Sequence, residues 1–133
     1  MIDNKNAEKN RLKQKRLFLL DMDGTLYLDD RLFDGAAEFL ADIKKSGGRY
    51  VFLTNNSSKG PGNYVEKLAR MGLFVDSGRI VTSGQATIDY LKRNHPGKRV
   101  FLLGNELLTR EFEEEGIVLD DVNPEVVVTG FDT

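Results

Sequence analysis

The chain of 133 residues is sized for one domain, and a domain of that length buries about two thirds of the surface its unfolded chain exposes. It holds no cysteine, which excludes disulfides, thiolate metal sites and a cysteine nucleophile and agrees with a reducing cytoplasm. A formal net charge of −2 gives no global field toward nucleic acid or a membrane surface, and no apolar run exceeds five residues, far short of a bilayer span.

Residues 1–16 set Lys5, Lys9, Arg11, Lys13, Lys15 and Arg16 against Asp3 and Glu8, with almost nothing apolar to bury. They read as a solvated basic tail or frayed helix, the other reading being an arm that touches an anionic partner. No apolar centre of a secretory signal is present, so the expected location is the cytoplasm.

The next four residues, 17–20, are apolar and run straight into Asp21-Met22-Asp23-Gly24. A run too short for a helix, ending in two acids and a glycine, predicts a buried strand that opens into a loop at its carboxyl end, where open α/β sheets keep their chemistry. In extended backbone, residues two apart point the same way. Asp21 and Asp23 are therefore expected to lean into one cavity while Met22 turns back toward the body of the domain. Gly24 would let the main chain approach whatever lies there. Such a pair suits attack on phosphorus by one carboxylate, assigned to Asp21, and proton transfer by the other, assigned to Asp23. A cation must offset the repulsion of an anionic substrate, and Mg2+ bound by Asp21 and Asp23 is the expected cofactor. Asp-x-Asp-Gly also serves ordinary turns and calcium loops, although residues 25–28 are mostly apolar where a calcium loop needs further oxygen ligands.

Residues 24–33 alternate loosely around Asp29-Asp30, as a short hairpin or flap does. Asp34 is expected to cap a helix over 35–45 with an apolar stripe of Ala36, Phe39, Leu40 and Ile43, ended by Gly47-Gly48. A second strand over 50–53 leaves through Thr54-Asn55-Asn56-Ser57-Ser58. Hydroxyls, amides and backbone N–H groups ahead of a helix offer a phosphate donors without a competing acid, and the same residues equally favour turns and caps. A helix with Tyr64, Val65, Leu68 and Met71 inward closes at Gly72. A third strand over 79–82 leads to a helix capped by Thr82 or Ser83 and running through Tyr90 and Leu91. Three β-then-α units favour a parallel sheet.

His95, the single histidine, sits in a His-Pro-Gly turn and reads as a surface residue rather than a catalytic one. Residues 99–103 form a strand, 106–115 a helix with Leu108 and Phe112 inward, 117–119 a short strand, and 126–130 a further buried strand. The run Glu113-Glu114-Glu115 is a solvated helix face, since adjacent helical positions do not share a face.

The segment Asp-Met-Asp-Gly-Thr-Leu-Tyr at 21–27 resembles the first motif of the haloacid dehalogenase (HAD) superfamily of phosphotransferases, and Val-Phe-Leu-Thr-Asn-Asn-Ser at 51–57 resembles its second. Together with Asp34-Gly35-Ala36 and Val81-Thr82-Ser83-Gly84, they resemble the NagD-like, or 4-nitrophenylphosphatase (IIA), branch from about Lys15 onward. The resemblance implies a three-layer, Rossmann-like α/β core with an incomplete parallel sheet over 17–84, followed by the start of an α/β cap over 85–133. It implies that Gly24, Thr54 and Asn55 hold the phosphoryl group, with Asn56 a weaker candidate for orienting substrate. In the family a returning segment brings a lysine and further metal-binding acids. Neither Lys92 nor Lys98 stands in that context, and the chain is expected to be the nucleophile half of a longer enzyme, the other reading being a remnant that needs a partner.

The function implied is a Mg2+-dependent phosphomonoester hydrolase that works through an aspartyl phosphate on a small phosphorylated metabolite. An inert relative that binds phosphate esters or a partner chain, and a receiver-like phosphoacceptor, are the alternatives. Nucleic acid and membranes are not expected partners. An apolar edge left open beside the first strand, or the cap, offers a route to homo-oligomers.

Overall fold

The computed structural model describes residues 10–11 and 13–130. Most of the expected basic tail lies outside the described residues; Asn10, Arg11 and Lys13 are helical and exposed. By internal contacts the chain divides into two compact units, one ending at Phe52 and the other beginning at Leu53.

The first unit holds β1 (Leu17–Asp21), a hairpin of β2 (Tyr27–Leu28) and β3 (Arg31–Leu32), helix α1 (Ala36–Lys45), and the start of β4 (Arg49–Thr54), to which β1 is hydrogen-bonded. The hairpin pairs Tyr27 with Leu32 and Leu28 with Arg31, so its turn is Asp29-Asp30. Asp29 takes a left-handed φ of 52°, which a short acidic side chain tolerates. Phe18 meets Phe39 edge to face at 6.1 Å, and Leu40 and Ile43 of α1 are buried.

Two expectations fail in this unit. Strand β1 is not buried: Leu17 and Leu19 are 56% and 61% exposed while Phe18 and Leu20 are half-buried, so only one face of the strand is covered, and among the described residues β4 alone is hydrogen-bonded beside it. Nor does Asp34 cap α1. Gly35 occupies the cap position with φ 84° and no side-chain bond is made there; the Ala36 N–H donates to the Phe33 carbonyl at 3.1 Å instead. A left-handed glycine brings the backbone round to close its own helix entry, so no carboxylate is needed.

The second unit holds the end of β4, α2 (Pro61–Arg70), a 3-10 turn (Ser77–Arg79), β5 (Ile80–Thr82), α3 (Ser83–Asn94), β6 (Arg99–Leu103), α4 (Glu106–Glu114), β7 (Val118–Leu119) and β8 (Val126–Thr129). Strand β5 pairs with β4, while β6 lies between β7 and β8 and is parallel to both. Thr82 caps α3 by accepting the Gln85 N–H at 3.1 Å. Ile88 and Leu91 of α3, Val100 of β6, and Leu108 and Phe112 of α4 form one buried cluster, joined by Val126 and Val128. Only alternate residues of β8 face this cluster, so Val127 is 65% exposed and the strand is half-buried rather than buried. Glu113, Glu114 and Glu115 are exposed, and Glu115 pairs with Lys92.

Leu108 is the tightest point of this unit. A Cβ added at Gly84, Gly104 or Gly130 would stand 2.9, 2.8 and 2.5 Å from a Leu108 methyl, so three glycines from three segments make room for one side chain. Nearby, burial first, and then the charges of Glu115 and Glu114, push the Glu111 carboxyl above its ordinary range.

Leu108→Ala is expected to cost about 2–5 kcal/mol in urea unfolding, as for other buried leucines. Gly104→Ala should destabilise the parent chain but cost far less in the Leu108→Ala background, because the atom that the added methyl would meet too closely, at 2.8 Å, is a Leu108 methyl. Glu111 has a raised folded pKa. Its contribution is therefore fully present below the ordinary carboxylate pKa and lost as pH rises through the raised value. Glu111→Gln should therefore be more stable than the parent at about pH 7 and match it at about pH 4, read from urea midpoints.

Candidate functional site

The loop that follows β1 is wound around a single carbonyl. The Met22 oxygen accepts N–H groups from Thr25 at 3.2 Å, Leu26 at 2.9 Å and Tyr27 at 3.4 Å. Three side chains anchor the loop: Met22 and Tyr27 are fully buried and Leu26 is 5% exposed. With Met22 turned inward, the residues on either side of it, Asp21 and Asp23, are both exposed. The Thr25 hydroxyl donates to Asp21 Oδ2 at 3.2 Å, which fixes one oxygen of the candidate nucleophile.

Gly24 has φ 77° and donates its N–H to the Tyr27 carbonyl at 2.8 Å. Among the described residues, no atom beyond its own chain neighbours lies within 4 Å of where its Cβ would be. Glycine is thus required here by backbone conformation, not by the close approach of a neighbour within the chain.

The second candidate loop, residues 54–58, lies in the second unit. Thr54, Ser57 and Ser58 are buried polar residues, at 5%, 6% and 4% exposure, and Asn55 is exposed. Thr54 Oγ1 accepts the Asn56 N–H at 3.2 Å. Asn56 Oδ1 accepts from the Ser58 N–H at 2.9 Å and from the Ser58 hydroxyl at 2.6 Å, an Asx turn in which the amide oxygen organises the loop.

A cleft of about 410 Å3 borders this loop, with Asn55, Ser57, Ser83, Thr87, Thr129 and Leu108 among its lining residues. Two of the residues that shape the loop were not singled out as site residues by sequence. Ser83 Oγ donates to the Asn55 carbonyl at 2.9 Å, and Asn105 Nδ2 donates to the Ser58 carbonyl at 3.0 Å. Both stand just beyond strand ends, after β5 and β6, so a polar residue at every strand exit was the signal available.

No group of three or more His, Asp or Glu side chains is gathered for a metal among the described residues. The donor chemistry of the first loop nevertheless fits Mg2+, which is commonly held by one or two carboxylates with water completing its octahedron. Asp21 and Asp23 are two exposed carboxylates on one loop. No helix among the described residues is long and apolar enough to cross a membrane.

The sequence profile of the haloacid dehalogenase-like hydrolases matches residues 18–118. An acid sugar phosphatase of Staphylococcus aureus is 36% identical over 122 residues, which cover 91% of this chain and 47% of that protein. A 4-nitrophenylphosphatase structure from Thermotoga maritima superposes with a TM-score of 0.86 at 48% identity, covering 92% of this chain and 47% of that one. A glycerol phosphate phosphatase of Mycobacterium tuberculosis, solved in complex with magnesium, gives a TM-score of 0.77 at 26% identity, with 91% and 37% covered. The chain thus spans about half the length of the curated relatives it matches.

Gly24→Ala is expected to cost about 1–2 kcal/mol in urea unfolding, the penalty of a side chain in left-handed backbone. Because the space around Gly24 is open, Gly24→Asn should recover part of that loss, asparagine being tolerant of this conformation.

Proposed function

Since this chain belongs to the haloacid dehalogenase-like hydrolases, we propose that it carries the nucleophile half of a phosphomonoester hydrolase acting on small phosphorylated metabolites. The observation that carries this reading is the first loop: two exposed carboxylates on either side of a fully buried Met22, at the end of β1. In the proposed reaction the Asp21 carboxylate attacks phosphorus. The ester P–O bond breaks and the departing oxygen takes a proton from Asp23. A water then attacks the aspartyl phosphate while Asp23 takes its proton, which releases inorganic phosphate and restores both acids. The Thr25 hydroxyl on Asp21 Oδ2 limits rotation of the attacking group.

Asp21, through its carboxylate, and Asp23, through its main-chain carbonyl so that its carboxyl can carry the proton, are the residues that would hold Mg2+, which would supply neutralisation of the charge between carboxylate and phosphate. Thr54 and Asn55 are assigned to the phosphoryl oxygens. The buried hydroxyl of Thr54 and the exposed amide of Asn55 bring donor groups without adding a second acid. With its amide N–H committed to Tyr27, Gly24 serves the phosphate through the course it gives the chain. Asn56 serves the loop first, since its amide oxygen is engaged by Ser58, and orienting substrate remains its weaker assignment.

The relatives' names point to sugar phosphates, glycerol phosphate and nitrophenyl phosphate as substrates. The cleft beside Asn55 supports a polar organic half for the ester, since Ser57, Ser83, Thr87 and Thr129 all border it. Division into a core over 17–84 and a cap opening at 85 is supported by the strand pairing: β4 and β5 share one sheet, and β6, β7 and β8 form another.

The full-length protein is expected to hydrolyse 4-nitrophenyl phosphate, to lose turnover in EDTA and regain it with added Mg2+. Asp21→Asn should fall by several orders of magnitude in kcat. Full activity in the Asp21→Asn variant, or turnover indifferent to EDTA, would reject the mechanism.

A further inference from the structure

Three carbonyls of the second loop are held by side chains from three different helices or their caps. Ser83 Oγ donates to the Asn55 oxygen at 2.9 Å, the Tyr64 hydroxyl to the Asn56 oxygen at 3.4 Å, and Asn105 Nδ2 to the Ser58 oxygen at 3.0 Å. In a trans peptide the C=O and the following N–H point in opposite directions, and no peptide bond in the described chain is cis. A donor that fixes a carbonyl therefore also fixes where the next amide N–H is aimed. For Asn105 that amide belongs to Lys59.

Asn105 differs from the other two donors because both ends of its amide are used. Its Oδ1 accepts the Leu108 N–H at 3.0 Å and caps α4, whose Leu108 is seated among Gly84, Gly104 and Gly130. The two partners impose one orientation on the amide: an N–H needs the oxygen and a carbonyl needs the nitrogen. A helix cap requires only an acceptor, which serine or aspartate provides as well. The Nδ2 donor is additional chemistry, and its target stands 47 residues away in the candidate phosphate loop.

We propose that Asn105 is a positioning residue for phosphate binding, fixing the Ser58–Lys59 peptide of the second loop through Nδ2 while its Oδ1 keeps α4 capped. This inference rests on the reading of residues 54–58 as the phosphate loop. In that arrangement the firmly packed α4 is the fixed point and the loop is the part being held. Asn105 touches no reacting atom; it acts through the loop backbone.

The test uses the full-length protein in magnesium-containing buffer, with inorganic phosphate titrated by phosphorus NMR, so that binding is read whether or not substrate is turned over. Asn105→Ser keeps a capping oxygen but is too short to reach Ser58. Asn105→Asp keeps the cap and turns an oxygen toward the Ser58 carbonyl. Both are expected to stay folded with a modestly lower urea midpoint, since the Ser58 carbonyl loses its donor, and to raise the phosphate Kd about three- to tenfold, the worth of one hydrogen bond. Thr54→Val is the control and should raise the Kd as well. An unchanged Kd in both Asn105 variants, with Thr54→Val weakened, would overturn the positioning role alone. If Thr54→Val binds phosphate like the parent, the reading of the loop falls and this inference with it. A Kd that returns to the parent value once the temperature is lowered enough to restore the parent's stability would make Asn105 a structural cap and nothing more.

Discussion

The constraint on which the first loop depends is the alternation of an extended chain. Burying Met22 obliges Asp21 and Asp23 to face away from the core, and the Met22 carbonyl then gathers three amides that hold this arrangement while the chain turns. Leu26 and Tyr27 lock the far end of the turn by burial. The positive φ of Gly24 is the local cost of so tight a turn, and a residue without a Cβ meets it cheaply.

The second loop is built on the opposite plan. Its order comes from polar contacts, made over long stretches of chain by Ser83 and Asn105 and from closer in sequence by Tyr64, and from buried hydroxyls rather than buried apolar side chains. The division suits the two proposed tasks. A nucleophile and a proton carrier need exposed acids on a firm base, whereas a phosphate needs amides and hydroxyls whose directions are already set before it arrives.

What sequence could deliver follows the range of the forces involved. Alternation around Met22, the polar exits after the strands, the hairpin turn at Asp29-Asp30 and the Thr82 cap are local, and each was readable from a few adjacent residues. The cap of α1 was misassigned because Asp34 has the right chemistry, but the decision belonged to the backbone conformation of Gly35. Strands β1 and β8 read as buried because apolar runs do not say how many neighbours a strand will have, nor that only every second residue meets the core. The Ser58 partner of Asn105, as distinct from its place at a strand exit, and the shared role of the three glycines around Leu108 are hidden for a different reason. Their meaning lies in contacts between distant segments, and a single sequence carries no mark of these.

The anchoring of the first loop also bears on what a cation is for. Two carboxylates in water about 4 Å apart or more repel by about 1 kcal/mol or less. Full burial of a side chain such as that of Met22 or Leu26 contributes about 1.5–3 kcal/mol, and both, with Tyr27, are buried here. Hydrophobic anchoring therefore outweighs the repulsion between Asp21 and Asp23 without help from a metal. The balance changes only when a phosphate dianion is brought against the same two acids, since like charges then meet at bonding distance with water displaced. On this accounting a divalent cation would serve the chemistry proposed for the loop rather than its fold.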